Sequence, residues 1–206
     1  MPPAKRTPKP PPKPYHHGNL RETLLAAADT VLAERGAQGL TLRDVAKAAG
    51  VSHAAPYHHF ASLNDLLAAV AERAFGVLAH ALEQAAAEPN TAERMLKIND
   101  AYVACALARP AQFRLMFGPL LARKQDYPEF KVAAERAFGV VLAAACAHDP
   151  KRGPELALTG WSLAHGLSNL LIDGALEGLP ISVPPSKGLA RQLAVRALGV
   201  SGGATA

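Results

Sequence analysis

Residues 41–60 read TLRDVAKAAGVSHAAPYHHF, and local chemistry divides this stretch into two short helices and a tight corner. Thr41 followed three residues later by Asp44 is an approximate capping box, which opens a helix over Thr41–Ala49. Ala46 and Gly50 stand four apart with Val51 next. A small residue lets two helices cross closely, a glycine takes the left-handed turn, and the valine plugs the crossing. Ser52 caps a further helix that must finish near Phe60, because Ser62 with Asp65 announces another start. Pro56 is the fourth residue of that helix, where its missing N–H would have donated to the Ser52 carbonyl. The first turn is therefore expected to be 3₁₀ or distorted. Together with a preceding helix, the pattern is that of a helix-turn-helix.

The preceding helix is legible from periodicity. Leu20, Leu24, Ala27, Ala28, Val31 and Leu32 recur at three and four over Leu20–Arg35, with Asn19 as N-cap and Gly36 as the stop. Before it, residues 1–14 (MPPAKRTPKPPPKP) hold seven prolines and four cations and nothing to bury, so a disordered or polyproline-type arm is expected. Charge follows the same division. Residues 1–62 carry eight Lys/Arg against four acids, whereas the remaining 144 carry fourteen against thirteen. Most of the net charge of +5 thus sits in the first third, as expected where that third meets a polyanion. Five of the eight histidines lie there as well.

The remainder is rich in Ala and Leu, with 5% aromatic and 50% hydrophobic residues overall, a composition that favours helix throughout. A long helix is expected from Leu63 to about Ala87, ended by Glu88-Pro89-Asn90. Another is expected from Thr91 to Arg109, then a turn or short helix around Phe113–Phe117, a loop at 122–128, and helices near 129–148, 154–176 and 186–199. The fold class is all-α with about nine helices. Two cysteines, Cys105 and Cys146, make no disulfide framework, and the opening residues lack the apolar core of a signal peptide, so a cytoplasmic protein is expected. The longest uncharged apolar stretch, 156–172, is interrupted by Thr159, Ser162, His165, Ser168 and Asn169 and reads as a core helix, not as a membrane span.

The helix after Ser52 is the candidate reading element for duplex DNA. His53 can donate to guanine, the methyls of Ala54 and Ala55 can touch thymine methyls, and Tyr57 and His58 reach bases or phosphates. Ser52, with Thr41 and Arg43 from the helix before, completes the expected DNA-contact set. A metal at His58 and His59 is disfavoured, since adjacent helical residues point about 100° apart and no further ligand lies at the right spacing; no metal and no cofactor are expected. Phe60 is expected in the core, holding the element against the first helix.

Residues 15–75 resemble the DNA-binding domain of TetR/AcrR-type transcriptional repressors. The matching residues are Leu24 to Ala28, Gly36, Thr41 to Val45, Ala46, Gly50, Val51, Ser52, the block Tyr57-His58-His59-Phe60, Ser62 and Leu66-Leu67. One position departs: such proteins usually carry a lysine after the Ser62 position, and here Leu63 stands there. The resemblance implies a homodimer of two-domain chains. A reading domain at 15–62 precedes a helical ligand-binding and dimerisation domain at 63–200, with a disordered tail at 201–206. Two reading heads would meet a palindromic operator in double-stranded DNA, while Lys5, Arg6, Lys9 and Lys13 track the backbone or an adjacent minor groove.

The string Trp161-Ser-Leu-Ala-His165-Gly166-Leu resembles the tryptophan-histidine-glycine type of C-terminal domain found in a subset of these regulators. Trp161 and His165 are four apart and share a helix face, set with Leu158, Ser168 or Asn169, and Ile172; Gly166 invites close approach of another helix. Leu163, Leu167, Leu170, Leu171 and Gly174 cover the opposite side, and a helix apolar nearly all round needs partners on both, one of them a symmetry mate. Tyr102, Phe113, Met116, Phe117, Trp161 and His165 admit two readings: ordinary core, or the lining of an apolar pocket for a small apolar or aromatic effector. In such repressors the pocket lies between the fourth and eighth helices, so that a ligand shifts the fourth and spoils groove registry. An enzyme is the rival class, and no phosphate loop, nucleophile elbow or carboxylate cluster supports it. The remaining alternative is a DNA-binding protein without an effector.

Overall fold

The computed structural model describes residues 20–121, 124–180 and 186–200, and all regular structure within them is helical. Eight α-helices run in the order α1 (Leu20–Arg35), α2 (Leu42–Ala48), α3 (Leu63–Ala86), α4 (Thr91–Ala108), α5 (Pro110–Phe117), α6 (Pro128–His148), α7 (Gly153–Ile172) and α8 (Ser186–Leu198), with 3₁₀ turns at Ala55–His58 and Lys124–Asp126. The proline-rich arm, the Asn19 cap and the tail at 201–206 lie outside the described residues.

Helix starts follow their caps. Thr41 accepts from the Asp44 N–H (3.2 Å) while the Thr41 N–H donates back to Asp44 Oδ2 (3.1 Å), completing the capping box on α2. Ser62 likewise accepts from the Asp65 N–H at the head of α3. At α4 the cap is Asn90, whose Oδ1 accepts from the Glu93 N–H (2.9 Å). Thr91, which opens that helix as expected, sets its hydroxyl 3.0 Å from His148 Nδ1 at the far end of α6.

Two expected elements are corrected. The helix after Ser52 is a single 3₁₀ turn. Ala55 N–H donates to Ser52, Tyr57 to Ala54 and His59 to Pro56, each three residues back, because Pro56 has no N–H to donate to Ser52. The seventh helix ends at Ile172, not near Leu176, where Gly174 (φ 65°) and Gly178 (φ 77°) turn the chain.

A long α3 is the spine. Leu66, Leu67 and Val70 at its start pack into the small N-terminal unit with Leu24, Ala28 and Val45, while Phe75, Leu78 and Leu82 farther along enter the larger body formed with α4–α8. Burial of these side chains, at about 25 cal/mol per Å² of apolar surface removed from water, is what holds so polar-faced a helix in place. On α7 the inward line is Gly153, Leu156, Ala157, Gly160, Ala164, Leu167 and Ser168. This corrects the expected division of its faces, since Leu158 and Leu170 both point outward at 53% and 45% exposure. Close approach occurs at Gly160, where a Cβ would sit 3.7 Å from Leu198 of α8, and not at Gly166, which has open space.

Candidate nucleic-acid face and aromatic cavity

The corner between α2 and the 3₁₀ turn is built as the sequence implies. Gly50 takes φ +67°, its N–H donates to Lys47, and the Val51 N–H donates to Ala46, a residue with no exposed surface. Val51 is half-buried against the core. Asp44 binds this corner to the end of α1 through Arg35 (3.8 Å). The hydrogen bond from the Thr41 side chain, aided by Thr41's backbone and by Arg35 and Lys47, holds its carboxyl below the ordinary aspartate range.

Beyond the corner most of the expected contact residues are open to solvent. Thr41, Arg43, Ser52, His53, Ala54, Tyr57 and His58 are exposed and Ala55 is half-buried. Tyr57, at 62% exposure, is among the most exposed large apolar side chains of the described residues. Behind it Pro56 and Phe60 are buried, and Arg21 of α1 lies 5.7 Å over the Phe60 ring, anchoring the turn to the first helix as expected. Leu63 is half-buried against the core and offers no cation to a phosphate.

The second site lies within the body, where α3, α4, α5, α6 and α7 meet around a cavity of about 240 Å³. Four of the six expected residues line it: Tyr102, Met116, Phe117 and Trp161. Phe113 and His165 instead face an open recess of about 770 Å³ beside the Gly36–Gln38 turn, with Phe117 shared between the two spaces. The rings interlock: Phe117 stands 5.3 Å from Phe75 and 4.6 Å from His165, and Phe138 stands 5.2 Å from Trp161. Sequence reasoning missed Phe75, Phe130 and Phe138. The last two are eight residues apart on α6, a helical spacing that marks a common face.

A hydrogen-bonded line crosses the cavity wall. Trp161 Nε1–H donates to Tyr102 Oη (3.2 Å), which lies 3.0 Å from His165 Nδ1. The tyrosine oxygen accepts from Trp161 and pairs with His165 Nδ1, where the imidazole tautomer sets which of the two donates. Burial holds the His165 pKa below the ordinary imidazole value and pushes that of Tyr102 upward. Below them Asn99 is buried, donating through Nδ2 to Gly160 O (3.1 Å), while its Oδ1 has no hydrogen-bond partner among the described residues.

Neither site assembles metal ligands: no group of three or more His, Cys, Asp or Glu among the described residues is placed to hold an ion. Cys105 and Cys146 are free and half-buried, and burial raises the Cys105 pKa. No described helix is long and apolar enough to cross a membrane.

Comparison with known proteins agrees with this architecture. Residues 24–70 match the family of bacterial regulatory proteins of the tetR family, and residues 95–195 match the tetracyclin repressor-like C-terminal domain. The chain belongs to the TetR family of transcription regulators. Among solved structures, a protein of unknown function from Rhodococcus sp. RHA1 superposes with a TM-score of 0.78 at 31% identity, covering 91% of this chain and 98% of that one. A TetR family transcription regulator from Marinobacter aquaeolei VT8 gives 0.64 at 21% identity, covering 87% and 95%. LfrR, a TetR-like regulator from Mycobacterium smegmatis in complex with proflavine, gives 0.60 at 17% identity, covering 88% and 95%. No curated protein matches the sequence.

Proposed function

We propose that this chain represses transcription as a homodimer bound to a palindromic operator, and that a small apolar or aromatic effector releases it. Residues 15–62 form the reading domain in this scheme, residues 63–200 the sensing and dimerising body. The observation that carries the reading is that the same two helices line the cavity and hold the reading domain. On α5, Met116 and Phe117 face the cavity while Gln112 Nε2–H donates to Asp29 Oδ1 of α1 (3.3 Å). On α3, Phe75, Leu78 and Leu82 line it, while Arg73, two residues before Phe75, reaches Glu22 (3.4 Å) and Asp29 (4.0 Å) of α1. A molecule that spreads the cavity walls therefore displaces the reading domain, and the populations of DNA-competent and DNA-incompetent dimers shift by its differential affinity.

For DNA, Tyr57, His53 and Ala54 enter the major groove, with Thr41, Arg43, Ser52 and His58 on the flanking phosphates. The four cations of the N-terminal arm add salt-dependent backbone affinity. For dimerisation, Leu158, Ser162, Gly166 and Leu170 form an exposed stripe at a spacing of four along α7, and the open space above Gly166 admits the partner's equivalent helix.

The test is a gel shift with the DNA upstream of the chain's own gene, at stated salt, alongside native mass measurement. A retarded complex holding two protomers supports the reading. A monomer indifferent to every duplex fragment at low salt overturns it.

A further inference from the structure

The proposed effector cavity is lined mostly by apolar and aromatic side chains, with the Tyr102 hydroxyl and the Trp161 N–H bonded to each other. Lys124, on the 3₁₀ turn after α5, is the sole charged side chain among the described residues that line it. It is half-buried; its Nζ donates to Met116 O (3.0 Å) and lies 6.0 Å from the Phe130 ring centroid. Neither contact supplies an opposite charge, and no carboxylate of the described residues pairs with it. Arg191, also half-buried, shows the usual arrangement, since Glu93 and Asp100 both face it. A partly desolvated ammonium without a carboxylate is costly to keep unless something else completes it. One of its three N–H donors serves the end of α5, which leaves two for another acceptor.

We propose that Lys124 is an anion-binding group at this cavity, and that the effector is an amphipathic carboxylate whose short apolar or aromatic tail lies between Phe75, Phe130 and Trp161. The inference rests on the cavity being the effector site. A volume of about 240 Å³ admits a tail of roughly ten non-hydrogen atoms at interior packing density. The carboxylate accepts from Lys124 Nζ in a charge-assisted hydrogen bond, and competes there with the Met116 carbonyl. Binding thereby loosens the end of α5, the helix that carries Gln112 against α1.

Trp161 is the one tryptophan in the chain, so its fluorescence reports on the cavity directly. Wild-type protein, Lys124→Met and Lys124→Arg are each titrated with 3-phenylpropanoate and with its neutral amide. The acid is expected to bind wild type and Lys124→Arg at least about tenfold more tightly than the amide does, a preference that Lys124→Met abolishes. Equal binding of acid and amide to wild type, or a preference that survives in Lys124→Met, overturns the anion site while leaving the apolar cavity as the effector site. Binding of neither compound to any of the three proteins at millimolar concentration overturns both.

Discussion

The surface around Tyr57 and the cavity around Phe117 are both rich in aromatic and imidazole groups, yet they are held in opposite ways. At the reading surface, His53, Tyr57 and His58 project into solvent from a single 3₁₀ turn, and only Pro56 and Phe60 behind them are buried. In the body, Phe75, Tyr102 and Phe113 are buried, and their neighbours stack edge to face at 5–6 Å. A side chain at the surface contributes to what the protein binds and little to whether it folds; one in the cavity wall contributes to both. Function can therefore be removed cleanly at one end of the molecule and not at the other, which gives the two regions different mutational signatures.

Phe113→Ala should show the largest effect. Its ring is buried between Tyr102, Phe117 and His165, and truncation should cost about 3–5 kcal/mol by urea denaturation. A loss under 1 kcal/mol would mean that the aromatic cluster of Tyr102, Phe113, Phe117 and His165 is not packed as described. His53→Ala and Tyr57→Ala come next, at about 1–3 kcal/mol each in operator affinity by gel shift, together enough to remove specific binding. Circular dichroism, urea midpoint and dimer mass should stay at parental values. Parental affinity in both variants would move the reading element elsewhere.

The smallest effect concerns pH and sets the cavity apart from the surface again. Burial depresses the folded pKa of His165, so as pH falls through the unfolded value of about 6.5 the unfolded chain takes up a proton that the folded chain refuses. The His165 contribution is complete above that value and declines between it and the lower folded pKa. Urea midpoints compared at pH 7.5 and 5.5 should fall more for the parent than for His165→Gln. Equal slopes would remove the neutral, Tyr102-bonded histidine from the account.

What was legible beforehand divides along physical lines. The spans of α1, α3 and α6 follow from apolar repeats, and the capping box at Thr41 from two residues three apart, all of them short-range effects. The outward set from Thr41 to His58 was legible because a corner glycine and a buried Ala46 fix which side faces out. The 3₁₀ form of the reading turn was half legible: Pro56 announced a lost hydrogen bond, but not that the α-helix would fail to form after it. Thr91 opens α4 as its position implies, but the partner of its hydroxyl, His148, is 57 residues away and no local pattern points to it. For the cavity, the Trp161–His165 pair was visible at helical spacing, while the assignment of Phe113 and His165 to the outer recess depended on how α5 crosses α7.

Sequence alone determined the class of this protein: helical throughout, with a basic leading third and a helix-turn-helix corner whose small residues allow only one close crossing. Those properties arise from neighbours within four or five positions, where backbone geometry dictates which groups meet. Tertiary structure decided the rest: the Trp161–Tyr102–His165 hydrogen bonds, the orphaned Asn99 oxygen, and Lys124 at the edge of an apolar cavity. Tyr102 stands 59 positions from Trp161 and 63 from His165, separations that no periodicity links, and only the packing of five helices brings these groups to one place.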